Sequence, residues 1–161
     1  MSILVQAEAP PPDKTTSIQS IALGLAGLYA IMATLQLYAF EKFVPLIESF
    51  WLPGGRLTGY LVAVAIVVSE VMALPYLLRL HLSPAMRFVS MVLSFVVPLV
   101  WMWLSVWLML TVNVVANLGV LGVELPVPPG WWAPLFMVAV LILAVWVAWG
   151  RWPLRTKPAT K

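Results

Sequence analysis

One residue in this chain is chemically out of place. Glu70 sits within LTGYLVAVAIVVSEVMALPYLL, residues 57–78, and no other Asp, Glu, Lys, Arg or His lies deep inside an apolar run. A carboxylate in hydrocarbon is costly, so such a group takes up a proton or turns into a helix bundle where partners await it. A neutral carboxyl can donate one hydrogen bond as well as accept. Two roles follow for Glu70: it pins helices together, or it handles protons. Depth arithmetic nominates its partners. At about 1.5 Å per residue, counted from Arg79, Glu70 lies near the bilayer centre; the same depth falls near Gly27 and Tyr29 in the first apolar span and near Ser94 in the third. Tyr29 and Ser94 are therefore the expected partners. Gln36 completes the intramembrane polar set and is expected to bond a neighbouring helix.

The other chemistry-bearing residues are few. His81 is the only histidine and lies in the loop RLHLSPAMR, where a solvated side chain is expected rather than a metal or haem ligand. There is no cysteine, which excludes disulfides and thiol chemistry within these residues. No phosphate-binding glycine loop, HExxH or GxSxG is present. No catalytic residue, metal or cofactor is assigned from the sequence; a quinone stays open as a ligand. Trp101, Trp103 and Trp107 read as packing and interface anchors.

These residues need elements to hold them, and composition says which. The 161 residues are 63% hydrophobic and 9% charged, against about 25% charged in a soluble domain, so the chain reads as an all-α integral membrane protein. Four spans are expected, at residues 17–40, 57–78, 85–111 and 131–150, forming an antiparallel four-helix bundle. Gly24 and Gly27 give the first span a small-residue side suited to close helix approach. Residues 41–56 are too short and too charged to span. There Lys42, Phe43, Ile47, Phe50 and Trp51 suggest a short amphipathic helix at the interface, turned back by Pro53, Gly54 and Gly55. Ser83-Pro84 marks the start of the third span. Pro98 should kink that span and free a carbonyl one turn earlier. Beyond it, Asn113 and Asn117 end the helix, and Gly119 and Gly122 permit positive φ.

The chain divides into a disordered or loosely docked arm (1–16), a membrane domain (17–150) and a basic tail (151–161). Lys14, Arg79, Arg87, Arg151, Arg155, Lys157 and Lys161 fall on one side of the spans, and only Lys42 and Arg56 on the other. The positive-inside rule then places both termini in the cytoplasm of a multi-pass inner-membrane protein. Basic residues beside an apolar helix speak for topology, so the bilayer and not nucleic acid is the expected partner.

Three pieces of sequence resemble the DoxX-like membrane proteins, and within them the methylamine-utilisation MauE branch: FEKFVPLI at 40–47, SEVMALPYLLRL at 69–80, and NLGVLG at 117–122. The resemblance covers about residues 20–150. MauE-like proteins carry a CxC pair in such a hexamer; here those positions are Leu118 and Val120, while the asparagine and glycines match. The resemblance implies a four-helix bundle working beside periplasmic redox maturation or the quinone pool. The function expected first is an accessory subunit that supports a redox enzyme, periplasmic maturation or a respiratory complex, with a membrane or periplasmic protein as partner and no thiol chemistry of its own. A quinone- or lipid-binding redox subunit using Glu70 for proton handling comes second, and a small proton-coupled transporter third.

Overall fold

A computed structural model describes residues 7, 9–111 and 115–152. Asn113, most of the first eight residues and the basic tail from 153 onward, with Arg155, Lys157 and Lys161, lie outside the described residues. The described chain is all helical: α1 (Thr16–Tyr38), α2 (Phe40–Glu48), α3 (Gly55–Leu77), α4 (Pro84–Leu110) and α5 (Trp132–Gly150). α1, α3, α4 and α5 are long and apolar enough to cross a membrane, as about 20 residues are needed for roughly 30 Å of hydrocarbon. Many large apolar side chains on them point outward, among them Leu23, Ile31, Leu61, Ile142 and Trp146, as lipid-facing surfaces require.

The four long helices close into a ring. α1 packs on α3 and α5, and α4 packs on α3 and α5, so α1 and α4 stand on a diagonal. At one end Ile18 of α1 lies against Gly150 of α5, and Arg151 reaches the Tyr76 and Leu77 carbonyls that end α3. At the other end Gly122 lies against Leu35 near the finish of α1, and Trp107 near the finish of α4 donates to the Phe50 carbonyl. These are called below the arm end and the loop end.

Local sequence accounts for the joints. Ser83 caps α4, its Oγ accepting from the Met86 N–H at 3.3 Å, with Pro84 in the first turn. The helix breaks at Ala39 (φ −122°, ψ 41°), and α2 then folds against α3. That packing needs Gly59: a Cβ there would lie 2.8 Å from the Glu48 Cα. Gly24 and Gly27 do not serve helix approach, since a Cβ at either would have nothing within 4 Å.

The short helix departs from the expectation in one respect. Phe43, Ile47 and Phe50 are fully buried. With α3 and the loop end beside it, α2 spends its apolar side on the bundle itself. Trp51 alone among the aromatic and aliphatic residues of that set is exposed.

Candidate functional site

Glu70 is 0% exposed. Its Oε1 accepts the Gln36 Nε2–H at 3.1 Å and the Trp101 Nε1–H at 3.2 Å. Gln36 comes from α1 and Trp101 from α4, so one oxygen joins three of the four long helices. Gln36 Nε2 also donates to the Val120 carbonyl at 3.1 Å, which brings the connection at 115–131 into the same network. Hydrogen bonds to an ionisable group in low dielectric are strong, and a buried network left half made is costly. Gln36 Oε1 and Glu70 Oε2 are both buried and lack a partner among the described residues. A carboxylic-acid proton on Oε2 is the only donor those two atoms could supply themselves.

Tyr29 and Ser94 are not Glu70's hydrogen-bond partners. The Tyr29 hydroxyl donates to the Ser94 carbonyl at 2.8 Å, and the Ser94 Oγ donates to Met91 O at 2.6 Å. The two residues matched by depth bond each other, and Glu70 bonds neither. The physical reason is side-chain direction. Helical side chains lean toward their own N-terminus. Glu70 therefore reaches toward the loop end, while Gln36 and Trp101, on helices running the other way, reach back to meet it. Counting Cα depth alone misses those few ångströms. The one signal for Trp101 was its indole N–H, a donor that must find a partner when buried.

The prolines act through the groups they free. Pro98 has no N–H to give the carbonyl four residues earlier, and that carbonyl is Ser94 O, the acceptor of Tyr29. α4 continues as a helix through it. Ser90, unremarked in the sequence, stitches α4 to α3 beside Pro75: its Oγ accepts the Tyr76 N–H at 3.0 Å and donates to Met72 O at 2.6 Å. It thus inserts between two backbone groups that an uninterrupted helix would bond together.

The NLGVLG hexamer closes the loop end. Asn117 Oδ1 accepts from the Gly119 and Val127 N–H groups, and its Nδ2 donates to Gly122 O. Gly119 (φ +84°) and Gly122 (φ +72°) occupy the left-handed region, and a Cβ on Gly122 would lie 2.8 Å from Leu35 O. Leu118 and Val120 are buried and belong to the core. Lys42 pairs with Glu124 across this end at 3.0 Å. That hydrogen bond, with the carboxylate's charge, holds the lysine above its ordinary pKa.

The arm end is built on arginine. Residues 9–15 lie across it, held more firmly than a loose arm would be. Arg151 Nε bonds Asp13 Oδ1 at 2.8 Å, Arg79 Nη1 bonds Asp13 Oδ2 at 3.3 Å, Arg79 also reaches Pro11 O, and Arg87 reaches Ala9 O. Lys14 adds a bond to Trp149 O. The arginines read from sequence as topology markers are thus structural as well. His81 is exposed, and among the described residues no three His, Asp or Glu side chains gather as a metal site.

No protein family, curated protein or solved structure matches this chain.

Proposed function

We propose that this chain is a DoxX/MauE-like accessory membrane protein: an antiparallel four-helix bundle in the inner membrane, with cytoplasmic termini, that supports a redox enzyme, periplasmic maturation or a respiratory complex without thiol chemistry of its own. One observation carries the reading. Its single intramembrane carboxyl is sealed at 0% exposure and bonded to Gln36 and Trp101, joining three spans and the loop rather than opening toward a substrate. The buried Leu118 and Val120 agree with a hexamer kept for packing. The test is purification from native membranes at native expression level. A stoichiometric protein partner is the expected result; a homogeneous chain with no protein partner would sink this reading.

A second reading, a quinone-binding redox subunit with Glu70 handling protons, is favoured by the two unpartnered acceptors Gln36 Oε1 and Glu70 Oε2. It requires quinone to be extractable from the purified protein. It also requires Glu70→Gln, which keeps the shape but cannot ionise, to abolish function in the cell without loss of folding. Full cellular activity in that variant would exclude it.

A further inference from the structure

At the loop end, the turn between α2 and α3 encloses a cleft of about 460 Å³ whose lining includes Glu48, Trp51, Gly55 and Arg56. Three features of it bear on what it could hold.

First, Glu48 and Arg56 line one cleft without pairing. Neither forms an ion pair or a side-chain hydrogen bond with any described residue. The stem of Glu48 packs on Gly59, which fixes where its carboxylate can reach. Second, Trp51 has φ +53°, a conformation costly for a bulky side chain, and yet it is 78% exposed. The ring gains little burial to offset that backbone cost, and strain of this kind gathers at binding sites. Third, the cleft adjoins Gly55, the first residue of a span-length helix. Span ends lie at headgroup level, where tryptophan and arginine anchor.

The chemistry selects a ligand with two opposite charges. A simple anion at Arg56 would share the cleft with the Glu48 carboxylate, and a simple cation at Glu48 would share it with the Arg56 guanidinium. A zwitterion satisfies both, with its phosphate on Arg56 through charge-assisted hydrogen bonds and its ammonium on Glu48 and over the Trp51 face. We propose that this cleft binds a phosphate–ammonium zwitterion of the phosphoethanolamine class, presented as a phospholipid headgroup or as a free ester.

The full chain in an uncharged maltoside detergent supplies the test, with the thermal unfolding midpoint as readout. Phosphatidylethanolamine, phosphatidylglycerol or soluble phosphoethanolamine is titrated in separate arms. Phosphatidylethanolamine should raise the midpoint more than phosphatidylglycerol at equal mole fraction. Arg56→Gln and Glu48→Gln should each remove that increment, while Lys42→Gln, at the same end but outside the cleft, should keep it. Trp51→Asn tolerates positive φ, so it should raise the lipid-free midpoint and lose the lipid increment. A full shift from soluble phosphoethanolamine assigns the site to the free ester; a shift from the lipid alone assigns it to the headgroup. Equal shifts from both lipids, or an increment that survives both charge variants, would overturn the proposal.

Discussion

The Tyr29 hydroxyl meets the Ser94 carbonyl at 2.8 Å across the diagonal of the bundle, between two helices whose backbones do not pack on each other. The carbonyl is available because Pro98 brings no N–H to it. Tyr29→Phe should therefore cost about 1–3 kcal/mol, the usual penalty for stranding a buried polar group. Pro98→Ala restores an N–H to that carbonyl, so Tyr29→Phe should cost measurably less in its background. A double-mutant cycle by denaturant unfolding in detergent checks this. Additive effects would mean that the proline and the tyrosine are independent.

Two glycine substitutions should have opposite signs. Gly122→Ala places a Cβ at φ +72° and 2.8 Å from Leu35 O. The left-handed conformation alone costs about 1–2 kcal/mol, and the backbone contact adds to it. Gly24→Ala meets nothing within 4 Å in mid-helix and should gain up to about 1 kcal/mol. Unfolding midpoints of the two variants decide. A neutral Gly122→Ala would show that the hexamer is not held against α1.

Removing the arm's anchor should release it. Asp13 faces two arginines, and Arg151 keeps only 4% exposure. Breaking a buried pair by deleting one partner costs about 3–5 kcal/mol; the Arg79 contact, a third exposed, adds little through solvent screening. Asp13→Asn should therefore lower stability and speed proteolytic cleavage within residues 9–15. Unchanged cleavage would show that Pro11, Ala9 and Lys14 hold the arm without it.

The four spans and the polar centre were legible because hydropathy and a lone glutamate are strong one-dimensional signals. Helix ends fell within a few residues of the expected ones, as at Ser83-Pro84. What depended on direction was not legible. Trp101 looked like an anchor because sequence does not show which way an indole points. Phe43, Ile47 and Phe50 have the spacing of an interfacial face, and that spacing fits burial against α3 equally well. Arg79, Arg87 and Arg151 were readable as charge on one side, but not as a cradle for the arm, in which Arg79 and Arg151 hold Asp13 and Arg87 holds the Ala9 carbonyl; that depends on how the arm folds back. Ser90 left no signal, since serine in an apolar helix is common and only its position beside Pro75 gives it work.

The network at Glu70 yields the sharpest prediction. Glu70→Leu removes the acceptor for two buried donors, Gln36 Nε2–H and Trp101 Nε1–H, and each stranded donor costs about 1–3 kcal/mol. Glu70→Gln retains a carbonyl oxygen for both donors and adds an N–H that could serve Gln36 Oε1, so it should stay within about 1 kcal/mol of the parent. Gln36→Leu alone strands the Val120 carbonyl and one lobe of the carboxyl. Combined with Glu70→Leu it leaves fewer unmatched groups than the separate changes imply, so the pair should be less destabilising than the sum, by about 0.5–3 kcal/mol. Because Gln36 also holds Val120 O, Glu70→Leu should loosen the loop end first. Backbone amide exchange at Gly119 and Val127, both held by Asn117, should quicken before exchange in the middle of α4. Unaltered protection at those amides in Glu70→Leu, with Tyr29→Phe as a control that strands a group far from the loop, would show that the carboxyl and the hexamer are not coupled through Gln36.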